Sequence, residues 1–153
     1  MKTKRIISML LVVVFTCLCF ASCGSKVKAN VHVMFIDGEG NTIGDTTVTV
    51  TGTKSNPPTV LRAAEQALIY LDYEKGYEIT ADGNSIKAVN GIVEVDETDE
   101  TNGYYSYWRV YINDEDSSFG RQSITPVYNE DEVVYKYVSD SQPRRDVTTE
   151  TEG

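Results

Sequence analysis

The sequence predicts an α+β fold in which a mixed β-sheet packs on one α-helix. Three observations predict it: several segments alternate apolar and polar residues, one segment repeats its apolar residues every three to four positions, and turn-forming residues separate the extended segments. The helical period occurs once, whereas the strand period recurs along the chain. Because one helix covers only one side of a small sheet, we expect the other side to stay partly open.

The first two extended segments form a predicted hairpin. Asn30 to Ile36 carries apolar residues on both faces, which is typical of a central strand. Asp37 to Asn41 supplies turn residues, and Thr46 to Thr51 then alternates threonine with Val48 and Val50. The pattern predicts a second strand whose two valines face inward.

A single amphipathic helix follows the hairpin. Pro57 and Pro58 close the preceding loop, and Thr59 stands where a helix N-cap is expected. The helix should end before Gly76. Its predicted apolar face consists of Val60, Leu61, Ala64, Leu68 and Leu71.

The rest of the chain is read mainly as strands. Asn90-Gly91 is a strong hairpin signal, and the segment of Tyr104 to Ile112 is the clearest strand of the sequence. The remaining predictions are a short extended piece at Tyr77 to Thr80, hairpin arms at Ser85 to Val89 and Ile92 to Val95, an acidic loop at Glu97 to Gly103, an irregular stretch at Ser117 to Asn129 and a last strand at Glu132 to Val138. A hairpin, a helix and further strands, in this order, indicate a β-grasp-like fold.

The N-terminus is read as a lipoprotein signal peptide. A basic start precedes the apolar run from Ile6 to Phe20, which is shorter than the roughly 20 residues of a membrane span. Phe20-Ala21-Ser22-Cys23 resembles the bacterial lipobox, in which the cysteine is lipidated and becomes the new N-terminus. The resemblance implies an extracytoplasmic protein that Cys23 anchors to the bacterial membrane at the cell surface. The alternative is a secreted protein in which Cys23 is incidental.

The predicted domains are a signal peptide at residues 1–22, a lipidated N-terminus and tether at 23–29, the β-grasp-like domain at 30–138 and a disordered tail at 139–153. Cleavage removes three of the 14 Lys+Arg and none of the 23 Asp+Glu, which leaves 11 against 23 and a formal charge of −12. This charge disfavours nucleic acid as a partner. Cleavage also leaves Cys23 as the one remaining cysteine, so no disulfide is expected.

Four short motifs resemble the transcobalamin-type C-terminal domain, a module of bacterial surface proteins. They are Thr59-Val60-Leu61, Ile86 to Gly91, Tyr107 to Asn113 and Asn129 to Val133, and the similarity covers roughly residues 30–138. In animal cobalamin carriers the related domain closes over a corrinoid that a separate helical domain holds. The resemblance therefore implies a β-grasp fold and suggests cobalamin as a bound ligand. No catalytic cofactor is expected.

Four of the six candidate binding residues lie on the strand after the acidic loop, and the other two form the predicted Asn90-Gly91 turn. Alternation sets Trp108, Val110 and Ile112 on a core face, and an aromatic stripe on the opposite face. Tyrosines offer flat amphipathic surfaces for rings, glycans or proteins, although they also pair well across strands with no ligand. The candidate ligand-binding set is Asn90, Gly91, Tyr105, Tyr107, Arg109 and Tyr111.

The sequence favours a binding function over an enzyme. His32 is the single histidine and is expected to be packed or exposed rather than catalytic. The acidic clusters at residues 94–100 and 114–116 lack the spacing of a calcium loop, so no metal site is expected. Two hypotheses remain: a cell-surface module for a corrinoid or another small ligand, or a protein- or glycan-interaction or spacer module of the bacterial envelope.

Overall fold

The computed structural model describes residues 25–73, 75–95, 105–118 and 120–140. The predicted signal peptide, Cys23, the whole predicted acidic loop and residues 141–153 of the predicted tail lie outside them. Within the described ranges, no helix has the length and apolar character needed to cross a membrane.

The described residues form an α+β fold, as predicted. One helix, α1, and eight strands are present in these ranges. In chain order they are β1 (Lys26–Ile36), β2 (Thr42–Thr53), α1 (Val60–Leu71), β3 (Tyr77–Ile79), β4 (Ile86–Val89), β5 (Ile92–Val93), β6 (Tyr105–Ile112), β7 (Glu115–Asp116) and β8 (Glu132–Asp140).

The main sheet is mixed and has five strands in the order β2-β1-β8-β6-β7. β1 runs antiparallel to β2 and parallel to β8, so the predicted central strand is confirmed. Val31, Val33 and Phe35 are fully buried on its core side. His32, Met34 and Ile36 on the other side are only half-buried, so burial is less even than the apolar pattern predicts.

The β1–β2 hairpin forms around the predicted turn. The Asp37 carboxylate accepts hydrogen bonds from the backbone of Glu39 at 2.9 Å and of Asn41 at 2.8 Å, and Gly40 adopts a φ of 88°. β1 begins at Lys26 and buries Ala29, so residues 26–29 extend the sheet where a polar tether was expected. At the other end of the domain, β8 continues to Asp140, two residues into the predicted tail.

Helix α1 matches its prediction at both ends. The Thr59 hydroxyl accepts from the Arg62 N–H, although the distance of 3.4 Å is long, and Asp72 ends the helix in the left-handed region with a φ of 48°. The helix packs mainly over β2. It buries Val60, Leu61, Ala63, Ala64, Ala67 and Leu68.

A second, three-stranded sheet in the order β3-β4-β5 covers the β6 side of the core. Trp108 is fully buried between the two sheets, and its indole N–H donates to the Ile92 carbonyl at 3.3 Å. Tyr137 lies beside it, with ring centroids 5.2 Å apart, and donates to the Val93 carbonyl at 2.7 Å. The inner face of the main sheet is thus covered by α1 at one end and by the small sheet at the other.

Candidate functional site

The helix-free side of the main sheet carries the aromatic stripe that the sequence predicts. Trp108 and Val110 point into the core, so the residues that alternate with them along β6 point away from it. Strand register then places β8 and β1 side chains next to them, with Arg109 opposite Lys136 and Tyr111 opposite Val134. We call this side the outer face; it comprises Tyr105, Tyr107, Arg109 and Tyr111 of β6, Val134, Lys136 and Val138 of β8, and His32, Met34 and Ile36 of β1.

Arg109 is fixed at the centre of the outer face. Its Nη2 donates to the Tyr107 hydroxyl at 2.9 Å and lies 3.5 Å from an Asp140 carboxylate oxygen. Its Nε lies 3.9 Å from an Asp116 carboxylate oxygen, which is too far for a hydrogen bond. The guanidinium carbon is 5.7 Å from the centroid of the Tyr107 ring. These contacts hold a permanent cation in a defined place.

Tyr107 is too deeply buried to be an open recognition residue. Only 7% of it is exposed, whereas Tyr105, Arg109 and Tyr111 are half-buried. Its role in the free protein is therefore to support Arg109 by a hydrogen bond and by the ring surface beneath the guanidinium. The parts of the stripe that a ligand can reach directly are Tyr105, Arg109 and Tyr111.

A second cation lies over the neighbouring tyrosine. The ammonium nitrogen of Lys136 is 4.8 Å from the centroid of the Tyr111 ring, within the range of a cation–π contact. Lys136 is exposed, and a lysine side chain is flexible, so it can move aside without disturbing the fold. Tyr111 then offers a flat, partly apolar surface beside two cations, whereas the neighbouring Val134 is only 6% exposed.

His32 lies on the β1 part of the outer face, between two carboxylates. Its Nε2 is 2.6 Å from Asp45 on β2, and its Nδ1 is 3.1 Å from Glu132 on β8. The hydrogen bond with Asp45 raises the pKa of His32, and the one with Glu132 adds to the effect. Both ring nitrogens face carboxylate oxygens, so the imidazole, when protonated, donates to both and joins three strands.

The predicted residues Asn90 and Gly91 are not part of this surface. They form the β4–β5 turn with φ values of 48° and 80°, which fits the Asn-Gly hairpin signal. The Asn90 N–H donates to the Gly76 carbonyl at 2.9 Å. Because the β4–β5 hairpin packs on the inner side of β6 through Trp108, the main sheet lies between this turn and the outer face. The structure therefore brings four of the six candidate residues together and leaves two apart.

Two residues of the predicted acidic clusters have structural partners. Glu94 is buried and accepts from the Trp108 N–H at 3.0 Å, and Asp116 accepts from the Ser118 N–H at 2.9 Å. Within the described ranges, no group of three histidine, cysteine, aspartate or glutamate side chains is arranged to hold a metal ion. Cys23, the predicted lipid attachment site, lies outside those ranges.

Sequence reasoning missed one concave surface. A groove of about 400 Å³ runs along one flank of α1, where Leu61, Glu65 and Ile69 face Ser123 of the irregular stretch. The signal in the sequence was Ile69, which falls outside the apolar face of the helix and is 60% exposed. The position of Ser123, which forms the other wall of the groove, could not be predicted from the local sequence pattern.

Comparison with solved structures finds similar chains, of which haptocorrin is one. The chain is similar to haptocorrin in a structure titled "Crystal Structure of Haptocorrin in Complex with Cbi", with 17% sequence identity and a TM-score of 0.47. The similarity is distant. It covers 72% of this chain but only 25% of the haptocorrin chain, so the chain corresponds to about a quarter of that protein. No family model and no curated protein matches the sequence.

Proposed function

We propose that the chain is a non-enzymatic binding module, held at a bacterial membrane surface through a lipidated Cys23, whose outer face binds a flat amphipathic small molecule. A corrinoid is the first ligand to test, because the four sequence motifs resemble a domain of cobalamin carriers. The observation that carries the binding proposal is the outer face itself. The main sheet is covered on its core side, while its other side presents half-buried aromatic and cationic side chains.

The chemistry of the face fits such a ligand. A flat ring placed on Tyr111 would bury apolar surface, and Lys136 would move from the tyrosine ring to the rim of the ligand. Arg109 needs no rearrangement to donate hydrogen bonds, since Tyr107 and the flanking carboxylates already hold it. Amide groups on the rim of a corrin ring are suitable acceptors for both cations.

The proposal includes no catalytic step. Both nitrogens of His32 are engaged by carboxylates, so neither is available to accept a proton from a substrate. Arg109 and Lys136 are placed as hydrogen-bond donors rather than as bases.

The decisive experiment is an equilibrium titration of the chain from Gly24 onward, which retains every described element, with cyanocobalamin and with cobinamide, followed by absorbance. Tyr111→Ser should weaken binding at least about tenfold, a loss typical of a stacking residue. Its melting temperature should change by only a few degrees because Tyr111 lies outside the core cluster.

Tyr128→Ser is the matched control, since Tyr128 is 65% exposed and lies outside the outer face. It should leave both binding and melting unchanged. Absence of any spectral change with either corrinoid rejects the corrinoid ligand. Corrinoid binding that Tyr111→Ser leaves intact rejects the outer face as the site.

A further inference from the structure

Strand β2 forms a long free edge of the main sheet. It has twelve residues, of which none is lysine, arginine or proline, and no strand lies beyond it in the described sheet order. Among the described residues, the backbone groups from Asp45 to Thr51 bond to no element other than β1. In the described ranges, partners cover the two ends of β2, where Tyr73 donates to the Ile43 carbonyl and Thr53 bonds to Asn56.

At the opposite edge of the main sheet, the backbone groups of β6 have hydrogen-bond partners. β7 pairs with the last residues of β6, and the backbone N–H groups before them are each bonded to a separate partner. Ser106 bonds to the Val95 carbonyl at 3.3 Å, Trp108 to the Glu94 carboxylate at 3.0 Å and Val110 to the Ser118 hydroxyl at 2.9 Å. Within the described part of the chain, the backbone groups at one edge of the sheet are thus bonded one by one, whereas those at the other edge are left open.

Natural proteins protect free edges with lysine, proline, bulges or a covering element, because an open edge pairs with any extended chain that fits it. The single register shift of the β1–β2 pair lies at Phe35 and Ile36, opposite one end of β2, and leaves the middle of the strand regular. We propose that the β2 edge pairs antiparallel with β2 of a second copy of this chain, about a two-fold axis, and so joins the two main sheets into one.

The low charge and the threonine pattern of β2 fit a second copy of this chain as the occupant of the edge. The full chain carries a net charge of −9, so two copies repel each other over most of their surfaces. β2 has one acidic residue in twelve, which makes it a place where two acidic chains can meet. Its pattern is also self-complementary: an axis through Thr49 would set Thr47 of each copy opposite Thr51 of the other, and threonine pairs well with threonine across strands.

An exposed aromatic residue lies on the same side of the domain. The irregular stretch bonds to the start of α1 through Gln122, whose side chain reaches Tyr135 on β8, so that stretch lies on the β8 side of the helix. Ile69 faces this stretch across the groove, whereas Tyr70 is one position further round the helix and is 74% exposed. The flank that carries Tyr70 therefore faces the β2 edge, and the same two-fold axis would bring the two α1 helices together there.

The test is sedimentation velocity of the chain from Gly24 onward, at concentrations from about 1 μM to about 1 mM, which brackets the affinities of weak and moderate dimers. We expect a monomer–dimer equilibrium. Thr49→Lys should raise the dimer dissociation constant at least about tenfold, because it places two like charges opposite each other at the axis. Tyr70→Ser should raise it as well.

Thr49→Val is the matched control. It loses the same hydrogen bond to the Asn30 side chain that Thr49→Lys loses, but it adds no charge and keeps a β-branched side chain. It should dimerise like the unmodified chain, and so should Gln66→Lys, which adds the same charge at an exposed helix position. A chain that stays monomeric at the highest concentration overturns the proposal, and so does a dimer that Thr49→Lys leaves unchanged.

Discussion

The buried side chain of Gln122 provides the sharpest test of how the core is held together. Only 1% of this residue is exposed, and its Oε1 accepts hydrogen bonds from the Ile86 N–H at 3.2 Å and from the Tyr135 hydroxyl at 2.8 Å. Its own carbonyl accepts from the Leu61 N–H at 3.0 Å. One residue of an irregular stretch thereby joins the start of α1, strand β4 and strand β8.

Gln122→Leu removes the acceptor and leaves the two bonds to it unmade in the core. An unsatisfied buried donor costs about 1–3 kcal/mol, so the loss of both bonds costs about 2–6 kcal/mol. The Nε2 of Gln122 is buried without a hydrogen-bond partner among the described residues. Its removal therefore stabilises the variant by roughly the cost of one unsatisfied donor. We therefore expect a net loss of about 1–3 kcal/mol, which for a domain of this size lowers the melting temperature by roughly 5–15 °C.

A double-mutant cycle measured by chemical denaturation separates this network from simple packing. Tyr135→Phe alone should cost about 0.5–1.5 kcal/mol, since Gln122 keeps its bond from Ile86. Combined with Gln122→Leu, the same change should cost less than the sum of the two, because both single changes remove the same hydrogen bond between Tyr135 and Gln122. Costs that add within about 0.3 kcal/mol would refute the reasoning.

Three further outcomes are expected. Leu68→Ala, at 2% exposure under α1, should cost about 2–5 kcal/mol in denaturant unfolding, and an unchanged midpoint would contradict the packing of the helix. His32 has a raised pKa in the fold, so its contribution is full below about pH 6.5 and fades as pH rises through the raised value; His32→Gln should therefore cost up to about 1 kcal/mol at pH 6 and less at pH 9. Cys23→Ser should release the protein from membranes or block its processing in a fractionation assay, and a processed, membrane-bound variant would refute lipidation.

Local chemistry made most of the elements predictable. The N-cap at Thr59 and the turn at Asn90-Gly91 occur where the sequence places them, because a cap and a tight turn depend on a few neighbouring residues. Alternation along β6 separated Trp108 from the tyrosines correctly, since successive side chains of a strand point to opposite faces. Element ends were less predictable, and β1 starts at Lys26 because pairing with β2 continues beyond the apolar run.

What only the tertiary structure decided is how surfaces are covered and which distant residues meet. The period of a strand assigns two faces but does not say what covers each, so the burial of Tyr107 and the separation of Asn90-Gly91 from the outer face could not be read from it. His32 meets Glu132 across 100 positions of sequence through the parallel β1–β8 pair, and Gln122 reaches Ile86 across 36. Such contacts follow from strand order and register, which are set by packing of the whole chain rather than by any local pattern.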